Sequence, residues 1–300
     1  MEPLFLTLFG DVKLTTGLSV EIPLPRKTQI LLAYLALNVD KNFPRDKLAG
    51  LIWSDRSEKQ ARQSLRQCLF TLTKSIGDKT ISLINADQIY VSLNPEFVEV
   101  DIWQFESMLA NQTPTSMQQA VVLYVDDFAA SVHFDDEALD NWCAAERTRL
   151  RERCFETLVK LSSHYAGAAR LDEAIKSSRR LVTLDPLRED GHRTLIRLYN
   201  SAGRRAEAVK QYRHCVNILR AELNVEPEVA TRDLYLEIKG RSDELGADTK
   251  VADNGSEPGL SASETPLHSP TVNWRQIVMI AGWFLFIALA AAVFWLSIGH

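Results

Sequence analysis

The chain has 300 residues, and its 34 basic and 39 acidic side chains give a formal net charge of -5. Because one hydrophobic core rarely extends beyond roughly 200 residues, this length excludes a single-core protein and indicates two or three units. Hydrophobic residues make up 46% of the sequence, which allows each unit a core of its own. The net charge excludes little, because an acidic total can conceal a local basic patch.

The cysteines are widely spaced within helix-like apolar patterns, without a CxxC pair and without a histidine at ligand spacing. They are Cys68, Cys143, Cys154 and Cys215. This spacing predicts reduced, buried thiols, as in a cytosolic protein, and neither a metal site nor another cofactor.

Motifs for catalysis are also missing from the sequence. It contains no GxxxxGK[ST] phosphate-binding loop, no HExxH zinc motif and no GxSxG nucleophile turn. Its six histidines share no spacing, and no pair of acidic residues is marked out as an acid and base couple. We therefore expect a protein that is not an enzyme.

The first hundred residues change from a strand pattern to a helix pattern. Short apolar runs in FLTLFGDVKLTTGLSVEIPLP are interrupted at Gly10 and at residues 15–17, which predicts two or three antiparallel strands. The apolar run at residues 28–37 then predicts a helix, and Pro44 opens a second one in RDKLAGLIW. No N-terminal signal peptide is evident, because the stretch lacks a basic start.

A third helix and a hairpin complete this region. The helix begins at Ser57, which is placed to form a capping box with Gln60, and stops at Gly77. After it, TISLINADQIYVSL predicts a hairpin whose turn lies at residues 85–88. A sheet, three helices and a hairpin in this order are typical of a winged helix-turn-helix.

The third helix has two different faces at about 100° per residue. One arc holds the apolar residues Ala61, Leu65, Cys68, Leu69, Leu72 and Ile76. The opposite arc holds Gln63, Arg66, Gln67, Phe70, Thr71 and Lys74. An ordinary solvated face carries Glu and Lys in matched numbers. From Arg56 to Lys79, six basic residues oppose two acidic ones, so this helix is a local basic segment.

From about Ile102 to Gly240 the pattern is helical and contains an internal repeat. Three positions recur 34 residues later: Leu161 and Leu195, Tyr165 and Tyr199, and Ala174 and Ala208. Thirty-four residues is the tetratricopeptide period, in which antiparallel helix pairs stack and bury faces that no single pair buries alone.

Two features of this helical region leave alternatives open. The tyrosines Tyr165, Tyr199 and Tyr212 either pack between helices or line a groove for a peptide or small-molecule effector. The arginines of ERTRLRERC, at residues 146–154, form a solvated face, a domain contact or a DNA-binding patch.

Two further segments follow the helical region. Residues 241–273 contain three prolines, several Ser and Gly residues and no aromatic residue, which predicts a disordered linker. The uncharged run that begins at Ile277 and ends at Ile298 is long enough to cross a hydrocarbon core of about 30 Å, which predicts a transmembrane helix. Arg275 precedes this run, so the positive-inside rule places the domains in the cytoplasm. The sequence thus predicts a single-pass protein of the inner membrane.

Ordered motifs along the chain carry a family resemblance. They are LPRKTQILLAYLAL, FPRDKLAGLIWSD, ARQSLRQCLFTLTKSIG, DIWQFE, NWCAAERTRLRERC, RLDEAIKSSRRLVTLDPLREDGHRTLIRLY, GRRAEAVKQYRHC and LRAELNVEPEVATRDLY. Over roughly residues 4–239 the chain resembles the SARP-type regulators, in which an OmpR-like winged helix precedes a bacterial transcriptional activator domain (BTAD). The linker and the membrane span depart from many members of the family.

The resemblance implies a mainly α-helical chain with four regions. These are a winged-helix DNA-binding domain (α+β) at 1–101, a tetratricopeptide-like BTAD at 102–240, the disordered linker at 241–273 and the transmembrane helix at 274–298. The third helix of a winged helix lies in the DNA major groove, and the hairpin contacts the backbone or the minor groove. The predicted DNA-binding residues are Arg62, Gln63, Arg66, Gln67, Phe70, Thr71, Lys74, Lys27 and Arg45.

These residues have different expected roles. Arg and Gln side chains match guanine and adenine edges, so Gln63, Arg66 and Gln67 are the predicted base readers. Lys74 and Arg62 are predicted to contact phosphates, which sets register without reading sequence.

Three assignments stay less specific. Lys27 and Arg45 begin the first two helices, where helix N-termini attract anions, and each is a phosphate contact or plain surface. Phe70 either meets a thymine methyl group or packs against the hairpin.

We therefore expect a membrane-tethered, sequence-specific DNA-binding transcriptional activator. Its expected partners are double-stranded DNA and, by family resemblance, RNA polymerase, while the helical domain serves a homodimer, polymerase contact or an effector. The alternative is a membrane-anchored tetratricopeptide adaptor whose winged helix binds protein. Steep weakening of binding with salt would identify DNA as the partner.

Overall fold

The computed structural model describes residues 4–77, 82–133 and 136–248. Its first strands form a four-stranded sheet, in the spatial order β3 (Glu21–Ile22), β2 (Lys13–Thr15), β1 (Leu4–Thr7) and β7 (Val98–Val100). The first three are antiparallel, as the sequence predicts, whereas β7 pairs parallel with β1. Leu4 and Leu6 are buried and Phe5 between them is partly exposed, so the sheet covers the core with one face.

Three helices and a second small sheet follow. The helices are α1 (Arg26–Ala36), α2 (Arg45–Ile52) and α3 (Glu58–Ile76). The second sheet has the order β4 (Phe43–Pro44), β6 (Tyr90–Leu93) and β5 (Ile84–Ala86). Strands β5 and β6 are the predicted hairpin. They follow α3 in the predicted order of sheet, helices and hairpin, and β6 contacts α1.

The remaining described chain is helical. Its helices are α4 (Asp101–Ala110), α5 (Pro114–Leu123), α6 (Glu137–Gly167), α7 (Leu171–Leu184), α8 (Glu189–Ser201), α9 (Arg205–Leu223) and α10 (Val229–Asp248). Each helix from α5 to α9 packs on its predecessor, which gives the mainly helical, tetratricopeptide-like fold.

The 34-residue repeat is visible in the packing. Tyr165 and Tyr199 are each 6% exposed, which makes them packing residues between helices. Their backbone carbonyls accept equivalent hydrogen bonds of 2.8 Å from the amides of Arg170 and Arg204. Because both turns form the same backbone hydrogen bond, the 34-residue period is present in the local structure as well as in the sequence.

Asp101 connects the two parts of the molecule. Its carboxylate accepts hydrogen bonds of 2.9 to 3.0 Å from the backbone amides of Leu8 and Phe9, after the end of β1. It also accepts one of 2.8 Å from the amide of Ile102 in the first turn of α4. Burial raises the pKa of Asp101, although the amide hydrogen bonds oppose that shift. The buried carboxylate thus fixes the start of the helical region against the first sheet.

The far end of the described chain departs from the predicted boundaries. Helix α10 continues past Gly240 to Asp248, whereas the sequence predicts that a linker begins at residue 241. Glu244, Leu245 and Ala247 favour helix, which explains how the helix extends beyond the last repeat. The rest of the predicted linker and the predicted segment 274–298 lie outside the described residues.

The predicted inner-membrane location is contradicted. Among residues 4–77, 82–133 and 136–248, no helix is both long and apolar enough to cross a membrane. Helix α6 has 31 residues, but charged side chains occur along its length, as in ERTRLRER. The run from Ile277 to Ile298, on which the prediction depended, is outside the described residues, and we do not carry the membrane assignment further.

The four cysteine thiols are free, as the spacing predicts. Burial raises the pKa of Cys143 to about 11 and that of Cys154 and Cys215 to about 12. Burial also raises the pKa of Cys68, against a hydrogen bond with Thr28 that lowers it. Thiols with raised pKa values are poor nucleophiles, so these side chains act as small packing groups.

Candidate nucleic-acid interface

Helix α3 is fixed at both ends by its sequence. Ser57 and Gln60 form the predicted capping box, in which the Ser57 amide donates to the Gln60 side-chain oxygen at 3.3 Å. At the other end Gly77 has a φ of 76°, a conformation that glycine adopts without steric cost from a Cβ atom. The helix therefore has a defined start and a defined stop.

The apolar arc of α3 is buried as predicted. Ala61, Leu65 and Leu72 are at most 3% exposed, and Leu69 and Ile76 pack partly buried against the same core. This arc holds the helix against α1 and α2, with which it is in contact. The opposite arc consequently faces away from the protein interior.

That opposite arc is the predicted DNA-binding face, and most of it is exposed. Gln63, Arg66, Gln67, Phe70 and Lys74 are exposed, and Thr71 is half-buried. The Gln67 amide lies 3.4 Å from the Thr71 hydroxyl, a long hydrogen bond that leaves the amide able to turn outward. We refer to these six residues as the α3 face.

A groove of about 610 Å³ runs beside the α3 face. Gln63, Gln67 and Thr71, spaced four residues apart, lie along its α3 wall. Lys27 and Thr28, at the start of α1, lie on the opposite wall. The groove therefore brings the amide side chains of α3 next to the N-terminal turn of α1.

Cations on α3 divide into paired and unpaired side chains. Lys59, Arg66 and Lys74 are exposed and make no ion pair or side-chain hydrogen bond with any residue in the described part of the chain. Arg62 differs, because its guanidinium lies 2.6 Å from Asp46 of α2 and 2.5 Å from Glu58. The unpaired cations are available to an external anion without loss of an internal partner.

The predicted phosphate contacts at the helix starts also have internal partners. The Lys27 ammonium donates a 2.8 Å hydrogen bond to the carbonyl of Ile52, the last residue of α2. The Arg45 guanidinium donates a 2.8 Å hydrogen bond to the carbonyl of Asp87 in the hairpin turn. These contacts join α1 to α2 and α2 to the hairpin, so both side chains have a structural role.

The hairpin turn is itself well defined. The Asp87 carboxylate accepts hydrogen bonds of 2.6 Å from the amides of Ile89 and Tyr90. These backbone hydrogen bonds lower the pKa of Asp87, with a smaller contribution from Arg45. Ile89 is 62% exposed at this turn, so the hairpin presents an apolar side chain to solvent.

Arg56, Gln60 and Ser64 line the groove but are not among the predicted DNA-binding residues. Arg56 donates a 2.7 Å hydrogen bond to Ser64. Gln60 was assigned only to capping, and Ser64 lies between the two arcs of the helix. Lys59 was counted in the charge balance but not among contacts, although its position one turn before Gln63 is a signal for the exposed arc.

Three arginines of α6 have partners within the helical region. Arg147 donates to the carbonyls of Phe128 and Ala129 at 2.8 and 2.6 Å. Arg149 pairs with Glu106 and Glu146, and Arg151 pairs with Asp127. Internal partners of this kind argue against a DNA-binding patch, because these guanidinium groups already bind groups of the helical region itself.

The class of the helical region follows from comparison with known families. Residues 101–239 match the family model described as the bacterial transcriptional activator domain. The match begins at the junction residue Asp101 and covers α4 to α9 and the first part of α10. The chain therefore carries a bacterial transcriptional activator domain at the position that the resemblance implies.

Individual proteins are similar over a larger part of the chain. The transcriptional regulatory protein MoaR1 of Mycobacterium bovis is 24% identical over 229 residues, which cover 71% of each chain, and MoaR1 of Mycobacterium tuberculosis matches equally. The solved structure of Mycobacterium tuberculosis EmbR, in complex with a low-affinity phosphopeptide, superimposes with a TM-score of 0.60. That match covers 84% of this chain and 70% of EmbR at 19% identity, so it establishes the fold alone.

Proposed function

We propose that this chain is a SARP-type transcriptional regulator that binds duplex DNA in a sequence-specific manner through the α3 face. The proposal rests on one observation. Two cations without an internal partner, Arg66 and Lys74, lie among exposed amide side chains of α3, while the opposite face of α3 is anchored in the protein core. Support from outside the site comes from the activator domain at residues 101–239 and from the likeness to MoaR1, a transcriptional regulatory protein.

Residues of the α3 face divide between reading bases and holding the backbone. Arg66 has the fork of donors that matches guanine, and Gln63 and Gln67 have the donor and acceptor that match adenine. Lys74 and Lys59 supply point charges for phosphates. Arg62 would have to release two carboxylates before it could contact a phosphate, so we assign it to the α2–α3 contact.

The helical domain supplies the second half of the proposal. In our scheme two copies bind adjacent DNA repeats, and their activator domains mediate pairing and contact RNA polymerase. We assign this regulator the role of an activator of transcription, in keeping with the family description of residues 101–239.

The first test replaces Arg66 by alanine. Duplexes selected from a random library by the full chain are titrated by fluorescence anisotropy. Arg66→Ala should weaken binding to the selected sequence by about 1 to 3 kcal/mol and relax discrimination at one base pair, because a bidentate contact to a base edge is lost. Lys74→Ala should instead weaken all sequences alike and reduce the salt slope by about one unit.

A matched control uses an unpaired cation elsewhere on the molecule. Arg153→Ala removes an exposed arginine of α6 whose side chain has no hydrogen bond or ion pair within the described residues, and DNA affinity should not change. Equal loss on all sequences for Arg66→Ala would refute its base-reading role. Binding to no duplex even at low salt would refute the proposed function and favour the protein-binding adaptor.

A further inference from the structure

Phe70 is an apolar side chain in the centre of the polar α3 face. Its ring is 63% exposed, although phenylalanine is normally a core residue. Arg66 and Lys74 lie one helical turn before and after it, and both are unpaired within the described residues. Gln63 and Gln67 complete its surroundings on the helix surface.

Contacts within the protein do not account for this ring. Phe70 is neither a core residue nor one of the partly buried residues that pack against the core. Its ring stacks on no aromatic ring in the described part of the chain, the hairpin residue Tyr90 included. The sequence left two alternatives for Phe70, contact with a thymine methyl group and packing against the hairpin. Packing against the described hairpin strands is not observed.

The position of Phe70 on the helix restricts what it contacts. At about 100° per residue, Phe70 falls between Arg66 on one side and Gln67 on the other, near the middle of the exposed arc. Any surface that covers the exposed arc from Arg66 to Lys74 must therefore also contact Phe70. Unpaired cations on both sides favour a polyanion over an apolar protein surface, because an apolar partner would remove those charges from water without compensation.

The major groove offers one apolar group to such a ring. Among the four bases only thymine carries a C5-methyl group there, and phenylalanine is among the side chains that contact it. We propose that Phe70 reads a thymine methyl group. This inference rests on the proposed DNA-binding function and specifies one base of the DNA sequence that is bound. The four residues from Arg66 to Phe70 rise about 6 Å along the helix, and successive bases are about 3.4 Å apart. The thymine should therefore lie within about two base pairs of the guanine that Arg66 contacts.

The experiment exchanges thymine for uracil, which lacks only the methyl group. Each thymine of the selected duplex is replaced in turn, and affinity for the full chain is measured by fluorescence anisotropy. Loss of one buried methyl group should weaken wild-type binding about fourfold at one position. Phe70→Ala should bind the thymine duplex more weakly than wild type and should no longer distinguish thymine from uracil at that position.

Two variants keep this test specific. Lys74→Ala should weaken the thymine and uracil duplexes by the same factor, since a phosphate contact does not sense the methyl group. Phe70→Leu should keep part of the preference for thymine, because leucine remains apolar. Thermal unfolding of Phe70→Ala should match wild type, since the ring is exposed.

Different results separate this inference from the proposed function. If wild type binds no duplex, the DNA-binding proposal itself fails. If wild type binds the selected duplex but tolerates uracil at every position, the thymine contact is overturned while DNA binding stands. The contact is also overturned if Phe70→Ala keeps wild-type affinity for DNA, a result that would assign the exposed ring to a protein partner.

Discussion

At the scale of single residues, His192 is the buried titratable group whose hydrogen bonds are most completely defined. Its ring is fully buried, with Nε2 2.9 Å from the Pro186 carbonyl oxygen and Nδ1 2.8 Å from the side-chain nitrogen of Gln211. Because a carbonyl accepts and an amide nitrogen donates, these partners select the neutral ring with its proton on Nε2. His192 thereby ties the turn after α7 to α9.

This geometry predicts a loss of stability in mild acid. Burial is the largest cause that lowers the pKa of His192, with His214 acting in the same direction and the Pro186 carbonyl and Glu189 opposing it. The unfolded chain, with an ordinary value of about 6.5, therefore binds more protons below that pH than the folded chain. The free energy of unfolding should be insensitive to this group above about pH 6.5. Below that pH it should fall by up to about 1.4 kcal/mol per pH unit.

Urea unfolding of the wild type and of His192→Gln at about pH 7.5 and about pH 5.5 checks this expectation. Glutamine keeps a polar side chain without a titratable ring, so the variant should lose less stability between the two pH values than the wild type. Equal losses in both proteins would show that His192 does not control the acid response.

The candidate site shows how far residue-level prediction from sequence extends. Arg66 and Lys74 lie opposite the apolar arc, and helical periodicity alone places them in solvent. Arg62 lies near the edge of that arc, where its environment depends on the neighbouring helix. Its partner Asp46 belongs to α2, and a contact between two helices has no signature in the sequence of either. Periodicity thus predicts exposure but not pairing.

At the scale of elements, the two repeat turns differ in one informative position. Ala169 and Gly203 are 34 residues apart, and they have φ angles of 57° and 72°. Glycine adopts a positive φ readily, whereas the Cβ of alanine makes it unfavourable. The repeat therefore places a strained alanine where its partner turn has an unstrained glycine.

Exchange of these residues should have opposite effects. Ala169→Gly should leave the fold unchanged and raise the free energy of unfolding by up to about 1 kcal/mol, because it removes Cβ strain. Gly203→Ala should lower it by about 1 to 2 kcal/mol. No atom lies within 4 Å of the Cβ that alanine would add at Gly203, so the cost there is conformational and the pair is a matched comparison.

Chemical unfolding of both variants beside the wild type measures these differences. Contacts at the two turns are equivalent, so a stabilising Gly203→Ala or a destabilising Ala169→Gly would contradict the conformational explanation. A destabilising Ala169→Gly together with a stabilising Gly203→Ala would point instead to the entropy of the unfolded chain.

Element prediction succeeded for α3 and failed for the two short strands β4 and β7. Helix α3 has 19 residues with one apolar arc and a capping box, and its bounds agree with those predicted. Strand β7 has only three residues, too few to establish alternation, and it pairs with β1 from the distant start of the chain. Strand β4 has two residues that include a proline, which disfavours a strand assignment. These short strands depend on tertiary pairing, which local sequence does not encode.

At the scale of the whole molecule, the segment before α6 joins the helical region to the first sheet. The Ala129 amide donates to the Leu8 carbonyl at 2.8 Å, and the Gly10 amide donates to the Asp127 carbonyl at 2.9 Å. Trp103 adds a 2.8 Å hydrogen bond from its indole nitrogen to the Ala36 carbonyl at the end of α1. The described residues up to Asp248 accordingly form one compact unit. We therefore expect a change in the activator domain to be transmitted to α1 and α2, the helices that hold α3.

Arg147 is the residue that should test this connection. Its guanidinium donates to the carbonyls of Phe128, Ala129 and Val132, so one side chain of α6 organises the segment that pairs with the end of β1. Arg147→Ala leaves these carbonyls without their charged donor, and we expect the free energy of unfolding to fall by about 2 to 3 kcal/mol. The amide of Ala129 should exchange its hydrogen faster, because local opening of the segment becomes easier.

Arg153→Ala is the matched control, since Arg153 lies on the same helix but its side chain has no hydrogen bond or ion pair in the described part of the chain. Its effect on stability should stay within about 0.5 kcal/mol. Hydrogen exchange followed by mass spectrometry distinguishes the two variants peptide by peptide. If Arg147→Ala loses stability while the peptide that contains Ala129 exchanges as in wild type, the arginine stabilises α6 alone and the segment does not transmit its effect to the first sheet.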